Sequence, residues 1–161
     1  MNLRCVYLNR VTDDFVVLST ELDDELAEKN GALQESYSQY NKLDGIEDVV
    51  LCLSDGRAVG CASMKRFDDD AYEVKRVFVK KAYRGYGVSK MMMEKLEEVA
   101  RSKGVGALVL ETGKSFIPAI SLYRNLAYSV VENYGQYKGM ESSVCMMKRL
   151  TPLPSGETKA P

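Results

Sequence analysis

Between Val77 and Leu110 the chain passes from a strand-like run through a turn carrying Gly85 and Gly87 into an amphipathic helix, and then into a nearly unbroken apolar run. Few folds accept that succession. Val88, Met91, Met92, Leu96, Val99 and Ala100 recur at helical spacing, with Glu94, Lys95, Glu97, Glu98 and Arg101 on the other face, so the helix lays one side on a core. Val105 to Leu110 has the pattern of a strand covered on both faces, and a strand reached through a crossover helix lies parallel to a neighbour. If the helix is such a crossover, the segment predicts a parallel strand pair in an α/β (α+β) domain.

The flanking sequence supplies the rest of that sheet. Leu3 to Leu8 reads as a first strand, and Ser19 or Thr20 followed by Glu21, Leu22, Glu25 and Leu26 reads as the capped start of a helix that stops near Gly31. Val49 to Leu53 and Ala58 to Met64 are strand-like runs joined by Asp55-Gly56, a strong hairpin signal. The acidic turn Asp68-Asp69-Asp70 leads into a third antiparallel strand, Tyr72 to Val79. After the apolar run, Pro118 suits the first turn of a helix bearing Ala119, Leu122, Tyr123 and Leu126, and Tyr128 to Glu132 and Ser143 to Leu150 close the set as strands. With 161 residues the chain is expected to form one domain over residues 1–150, and the tail from Thr151, with two prolines in TPLP, to be loosely held.

Composition narrows the chemistry. Lys+Arg 22 against Asp+Glu 23 leaves a formal charge of -1, so no strongly basic face is expected to hold nucleic acid. No window approaches the roughly 18 apolar residues of a membrane span, and the N-terminus lacks the pattern of a secretory leader, which points to a cytoplasmic protein. Histidine is absent, which removes every Ser-His-Asp and Cys-His pair and leaves proton transfer to Glu, Asp, Tyr, Lys or Cys. The four cysteines, Cys5, Cys52, Cys61 and Cys145, form no C-x-x-C pair and read as reduced thiols in apolar strands, so no metal is expected.

The turn between strand and helix is an anion-binding geometry. Successive backbone N–H groups and the helix dipole favour a phosphate, and glycine lets the backbone approach it. It is no dinucleotide fingerprint, because G-x-G-x-x-G is not completed at the required spacing. Gly113-Lys114-Ser115 is no nucleotide-hydrolysing loop either, since its first glycine would fall at Leu108.

Arg84-Gly85-Tyr86-Gly87-Val88-Ser89 resembles the R/Q-x-x-G-x-G/A signature of the GNAT acetyltransferases, with serine in the last small position. The likeness extends from about Val49 to Leu150 and takes in Pro118-Ala119-Ile120-Ser121-Leu122-Tyr123. It implies a single GNAT-like domain around a mixed, strongly twisted sheet that splits into a V, with acetyl-CoA in the cleft. The amides of Arg84, Gly85, Tyr86, Gly87, Val88 and Ser89 would hold the pyrophosphate, and the backbone of Val77, Phe78 and Val79 would pair with the pantetheine arm. Phe116 departs from the asparagine that many members carry there.

What the resemblance implies is an N-acetyltransferase acting on the amine of a small molecule or amino acid. The alternatives are a protein N-terminal or lysine acetyltransferase, or an acyl-CoA-binding sensor without turnover. Acyl transfer needs a group to take the amine's proton and one to protonate the departing thiolate. Tyr123, on the apolar face of its helix, is the candidate acid, at a position that commonly has that role in the family. Glu73 matches the glutamate base of the histone-acetylating branch. By strand alternation Glu73, Lys75, Val77 and Val79 share a face, short of any bulge. Glu111, at the end of the buried strand, competes with Glu73 for the role, and a water relay remains open. Tyr37, Tyr40 and Tyr134, with Tyr137, are candidate acceptor-binding rings, while the acidic stretch Asp23, Asp24, Glu25 and Glu28 reads as a solvated helix face. The oligomeric state, a homodimer among the options, is left open by the sequence.

Overall fold

The computed structural model describes residues 1–30 and 43–151. Strands β1 (Leu3–Leu8), β2 (Ile46–Ser54), β3 (Arg57–Arg66), β4 (Ala71–Val79), β5 (Ala107–Gly113), β6 (Ser129–Val131) and β7 (Ser143–Arg149) form one sheet in the order β1-β2-β3-β4-β5-β7-β6. Helices α1 (Asp13–Asn30), α2 (Val88–Ser102) and α3 (Ile117–Asn125) accompany it. The sheet is mixed, as the family likeness implies, and the parallel β4–β5 pair is as the central segment predicts. Tyr37, Tyr40 and the tail beyond Thr151 lie outside the described residues. The chain divides into two units, Met1–Lys65 with Lys75–Leu96 and Arg66–Val74 with Glu97–Pro161, and β4 and α2 each run through both.

In the first unit β1, β2 and β3 are antiparallel neighbours, and the β2–β3 turn is made by Asp55 (φ 49°) and Gly56 (φ 84°), both left-handed as a two-residue hairpin demands. Cross-strand partners share a face, so Leu51 and its partner Cys61 point to one side while Cys52 and its partner Gly60 point to the other. Phe15 and Leu18 of α1 pack with Val49, Leu51, Cys61 and Phe78 on the first side. Burial of each such large side chain contributes about 1.5–3 kcal/mol. Val88 and Met92 of α2 take the other side, where a Cβ on Gly60 would come within 3.0 Å of Val88 and 3.2 Å of Met92. Glycine at 60 thus sets how closely α2 approaches β3.

Helix α1 begins six residues before the cap expected at Ser19 or Thr20. Thr12 is the cap: its carbonyl accepts the Val16 N–H at 3.0 Å and its Oγ1 the Phe15 N–H at 3.4 Å, ahead of Asp13 and Asp14, whose charges favour a first turn. Ser19 is buried within the helix, and the Thr20 hydroxyl turns back to the Val16 carbonyl at 3.0 Å. The acidic stretch is not simply solvated, since Asp23 and Glu25 pair with Arg76 and Arg84.

In the second unit β5 lies between the start of β4, with Glu73 opposite Val109, and β7, with Val109 opposite Met147 and Glu111 opposite Cys145. Ala71, Glu73, Ala107, Val109, Glu111, Cys145 and Met147 therefore share one face, by alternation and pairing. The turn that begins both β4 and β5 is locked around Asp70, whose carbonyl accepts the Gly106 N–H at 2.8 Å and whose carboxylate pairs with Arg149 at 2.6 Å. A Cβ on Gly106 would collide with that carboxylate.

Candidate active site

Strand β4 does not keep strict alternation to its end. Arg76 has φ +58°, a left-handed conformation that a side chain adopts at a cost, and the carbonyls of Lys75 and Arg76 accept from Ser63 Oγ (2.6 Å) and Cys61 Sγ (3.3 Å), two side chains on the same face of β3. Successive carbonyls of a regular strand point opposite ways. The expected common face for Glu73, Lys75, Val77 and Val79 is therefore broken at Arg76. What holds the distortion is the Arg76 guanidinium, buried and donating to the Ser19 carbonyl and to Asp23 at 2.8 Å.

From Val79 the chain passes through a 3-10 turn, Lys81–Tyr83, into Arg84–Gly87 and the start of α2. Gly85 (φ +88°) and Gly87 (φ +79°) are both left-handed, and a Cβ on either would find open space within 4 Å. Their glycine requirement is thus conformational, and the space beside the backbone is free for a ligand. The Gly87 carbonyl accepts the Met91 N–H at 3.0 Å, so the earlier amides of the turn are the ones a helix start leaves unsatisfied. No acidic residue stands in the first turn of α2 to compete for them. Val88 is buried under this turn, Ser89 is half-buried and Tyr86 is exposed.

Arg84, first in the signature, turns its side chain inward to the protein. Its Nε donates to the Val79 carbonyl at 3.0 Å, another guanidinium nitrogen pairs with Glu25 at 2.7 Å, and its guanidinium carbon lies 5.7 Å from the centre of the Phe78 ring. The loop is thereby tied to the end of β4 and to α1.

In the second unit Glu73 is 2% exposed. The Tyr134 hydroxyl donates to its Oε2 at 2.6 Å. Tyr134 sits edge-on to Phe67 (centroids 4.9 Å) and to Tyr137 (5.7 Å) and, like Met147, packs against the cluster of Ala71, Ala107 and Val109. Strand spacing and rise put Glu111 about 8 Å from Glu73 along the same face. Burial, then Glu73, hold Tyr134 protonated far above the ordinary tyrosine value. Burial, then Glu111 and Glu73, do the same for Tyr137. Burial raises the Cys145 thiol, with Glu111 and Glu73 adding to it against a hydrogen bond from the Tyr134 backbone.

Tyr123 is 7% exposed on α3, and its phenol is held protonated by burial and then by the charge of Glu111. Its ring meets Tyr128 edge-on at 5.9 Å, and among the described residues its hydroxyl takes no hydrogen-bond partner. Tyr128 by contrast donates to Glu97 at 3.1 Å. Glu111 thus links the neighbourhoods of Tyr123 and Glu73, whereas Tyr37 and Tyr40 cannot be placed.

Two contributors escape the sequence reading. Asn133 donates to the carbonyls of Tyr137 (3.2 Å), Met140 (3.0 Å) and Ser143 (3.3 Å), fixing the loop that carries both tyrosines. An asparagine ahead of Gly135 and Gly139 was the only signal for it. Phe67 is the other, and nothing local in the sequence announces its ring contact with Tyr134.

The sequence model of the Acetyltransferase (GNAT) family matches residues 13–128. The chain belongs to that family. Among its relatives in the family is an IAA acetyltransferase of Azospirillum brasilense, 35% identical over 96 residues that make up 59% of this chain and 63% of that one. The chain spans somewhat under two thirds of the length of the first curated relatives it matches. A Klebsiella pneumoniae protein provisionally described as an acyl-CoA N-acyltransferase is 25% identical, with a TM-score of 0.76 over 92% of this chain and 98% of its own. A GNAT acetyltransferase of Elizabethkingia anophelis with acetyl-CoA bound, 17% identical, has a TM-score of 0.66 over 92% of this chain and 99% of its own, a likeness of fold alone. Among the described residues no helix is long and apolar enough to cross a membrane.

Proposed function

We propose that this protein is an N-acetyltransferase that moves an acetyl group from acetyl-CoA to the primary amine of a small molecule. The observation that carries the reading is the buried Glu73 carboxylate, held by the Tyr134 hydroxyl at 2.6 Å on a sheet face that also bears Glu111. A carboxylate so placed, held by a phenol and away from bulk water, is suited to take a proton from an amine.

The turn fits acetyl-CoA: two left-handed glycines with open space beside them, the amides a helix start leaves unsatisfied and no acid in the first turn of α2 suit a pyrophosphate. Gly85, Tyr86, Gly87, Val88 and Ser89 would hold it, with Arg84 keeping the loop in place. When bound, acetyl-CoA supplies an acyl group already activated as a thioester. Glu73, or Glu111 in its stead, accepts the proton of the amine nitrogen. Tyr123 keeps its phenolic proton at neutral pH and holds it on Oη for the departing sulfur. Phe67, Tyr134 and Tyr137 exclude water from the carboxylate.

Thiol release from acetyl-CoA over a panel of primary amines tests the reading. Glu73→Gln or Glu111→Gln is expected to lower turnover by about 10²–10⁴-fold with acetyl-CoA binding intact. Gly87→Asp is expected to weaken acetyl-CoA binding in calorimetry, through a strained φ and a like charge rather than a steric clash. Binding unchanged by Gly87→Asp would move the phosphate site elsewhere.

A further inference from the structure

Cys5 on β1 and Cys52 on β2 are direct cross-strand partners. One main-chain bond fixes which kind of partners they are. The Asp55 N–H donates to the Asn2 carbonyl at 3.2 Å, in the register that sets Leu3 opposite Ser54, so Asn2 and Asp55 are a hydrogen-bonded pair from which the ladder alternates. Cys5 and Cys52 are then a non-hydrogen-bonded pair, the kind in which Cα atoms stand about 4.5 Å apart and side chains are closest. Both sulfurs lie on the α2 side of the sheet, because Cys52 is paired in turn with Gly60, which meets Val88 and Met92. Cys5 is half-buried and Cys52 is buried. Their thiols touch: burial and then Cys52, to whose sulfur the Cys5 thiol donates, push Cys5 up to about 12, against the charge of Lys95 on α2. A disulfide needs Cα atoms roughly 4.4–6.8 Å apart and side chains that converge, and this pair has both. Cys61 stands opposite Leu51, and Cys145 opposite Glu111 and Val131.

We propose that Cys5 and Cys52 are a modification site, a dithiol that a small disulfide such as oxidised glutathione converts to a protein disulfide fastening β1 to β2. The reaction enters through Cys5, the member of the pair with exposed surface. Its thiolate attacks one sulfur of the glutathione disulfide, whose S–S bond breaks, and the departing glutathione thiolate takes up the proton that Cys5 gave up. The Cys52 sulfur then attacks the Cys5 sulfur of the mixed disulfide and releases the second glutathione, which takes the Cys52 proton. Two electrons pass from the protein pair, and one glutathione disulfide becomes two glutathione thiols. Because so little of Cys5 is ionised at neutral pH, the exchange is slow and answers a sustained oxidising environment rather than a brief one. β1 ends the sheet order and pairs with β2 alone among the described strands, so a covalent tie acts where the ladder has no second neighbour. The tie also closes a long loop, from residue 5 to residue 52, in the unfolded chain, which favours the folded state. None of this depends on the acetyl-transfer reading.

The experiment incubates the reduced, folded full chain with oxidised glutathione, quenches with acid, alkylates the remaining thiols in denaturant and maps them by peptide mass spectrometry. A Cys5–Cys52 cross-linked peptide that has lost both thiol hydrogens is expected, with Cys61 and Cys145 alkylated, and dithiothreitol should restore all four thiols. Cys52→Ser should retain glutathione on Cys5, whereas Cys5→Ser should leave Cys52 reduced. The urea midpoint should rise on oxidation of the parent and in neither variant. Should a variant fail to fold, the parent's own peptide map still decides. Cys5 and Cys52 left reduced, whether or not Cys61 and Cys145 react, would overturn the proposal, as would glutathione held on Cys5 of the parent without the cross-link. A cross-link that leaves the midpoint unchanged or lower would overturn the fastening of β1.

Discussion

The hydroxyl of Tyr134 donates a 2.6 Å hydrogen bond to Oε2 of Glu73, joining the loop after β6 to the start of β4 sixty-one residues away. A hydrogen bond to a charged group contributes about 1.5–3 kcal/mol, and the loop that supplies it is itself held by Asn133.

Removing that donor should register in both stability and rate. Tyr134→Phe keeps the ring contacts with Phe67 and Tyr137 but leaves a buried carboxylate with one donor fewer, so unfolding free energy in urea is expected to fall by about 1–3 kcal/mol. In a double-mutant cycle with Glu73→Gln, the two effects on kcat should be clearly non-additive, as expected for groups in contact. Additive effects would show that the bond has no part in turnover.

Tyr123 is expected to behave in the opposite sense. Its hydroxyl makes no hydrogen bond among the described residues, so Tyr123→Phe should melt within a degree or two of the parent while kcat drops and KM for acetyl-CoA holds. Burial and then Glu111 raise its pKa, so the acid form persists above the ordinary value of about 10 and the alkaline limb of the pH–rate profile should lie above that pH. Wild-type turnover by Tyr123→Phe would remove it from the reaction.

The Arg84–Glu25 pair braces the turn that carries Gly85 and Gly87, and its two side chains are 39% and 27% exposed. Partly solvated pairs contribute about 0.2–1 kcal/mol, so Glu25→Gln should raise KM for acetyl-CoA by no more than about fivefold and leave kcat unchanged. Added salt should shrink the difference between variant and parent. A large loss of kcat would place α1 closer to the chemistry than its ion pairs do.

Cys61 makes stability depend on alkaline pH. Its thiol is buried and its pKa is raised to about 12 by desolvation, against an ordinary 9.0. Between those values the unfolded thiol ionises and the folded one does not, so its stabilising contribution is whole below pH 9 and is lost as pH rises toward 12. The decline approaches about 1.4 kcal/mol per pH unit. Cys61→Ala should be less stable at pH 7 yet show a shallower loss between pH 9 and 11 in denaturant titrations; an unchanged slope would assign the decline to other groups.

The sequence by itself determined the order of elements, the parallel pair and the glycine turn ahead of α2, because each is written in neighbouring residues. The hairpin needs Asp55-Gly56, the crossover needs the helical spacing of Val88 to Ala100, and the turn needs glycines at 85 and 87. Glu73, Glu111 and Tyr123 were legible as candidates through strand position and family likeness. The start of α1 is also local, yet the later polar pair Ser19-Thr20, with a stronger run of Glu and Leu behind it, masks the cap at Thr12. Tertiary structure alone decided what those residues do to one another. That Arg76 breaks the alternation of β4 follows from Ser19 and Asp23, more than fifty residues earlier, which hold its guanidinium. That Glu73 is buried under a phenol, and shares a face with Glu111, follows from strand register and from a loop closed by Asn133. Local sequence sets backbone preference and periodicity, whereas burial and the meeting of charges depend on which distant strands pair.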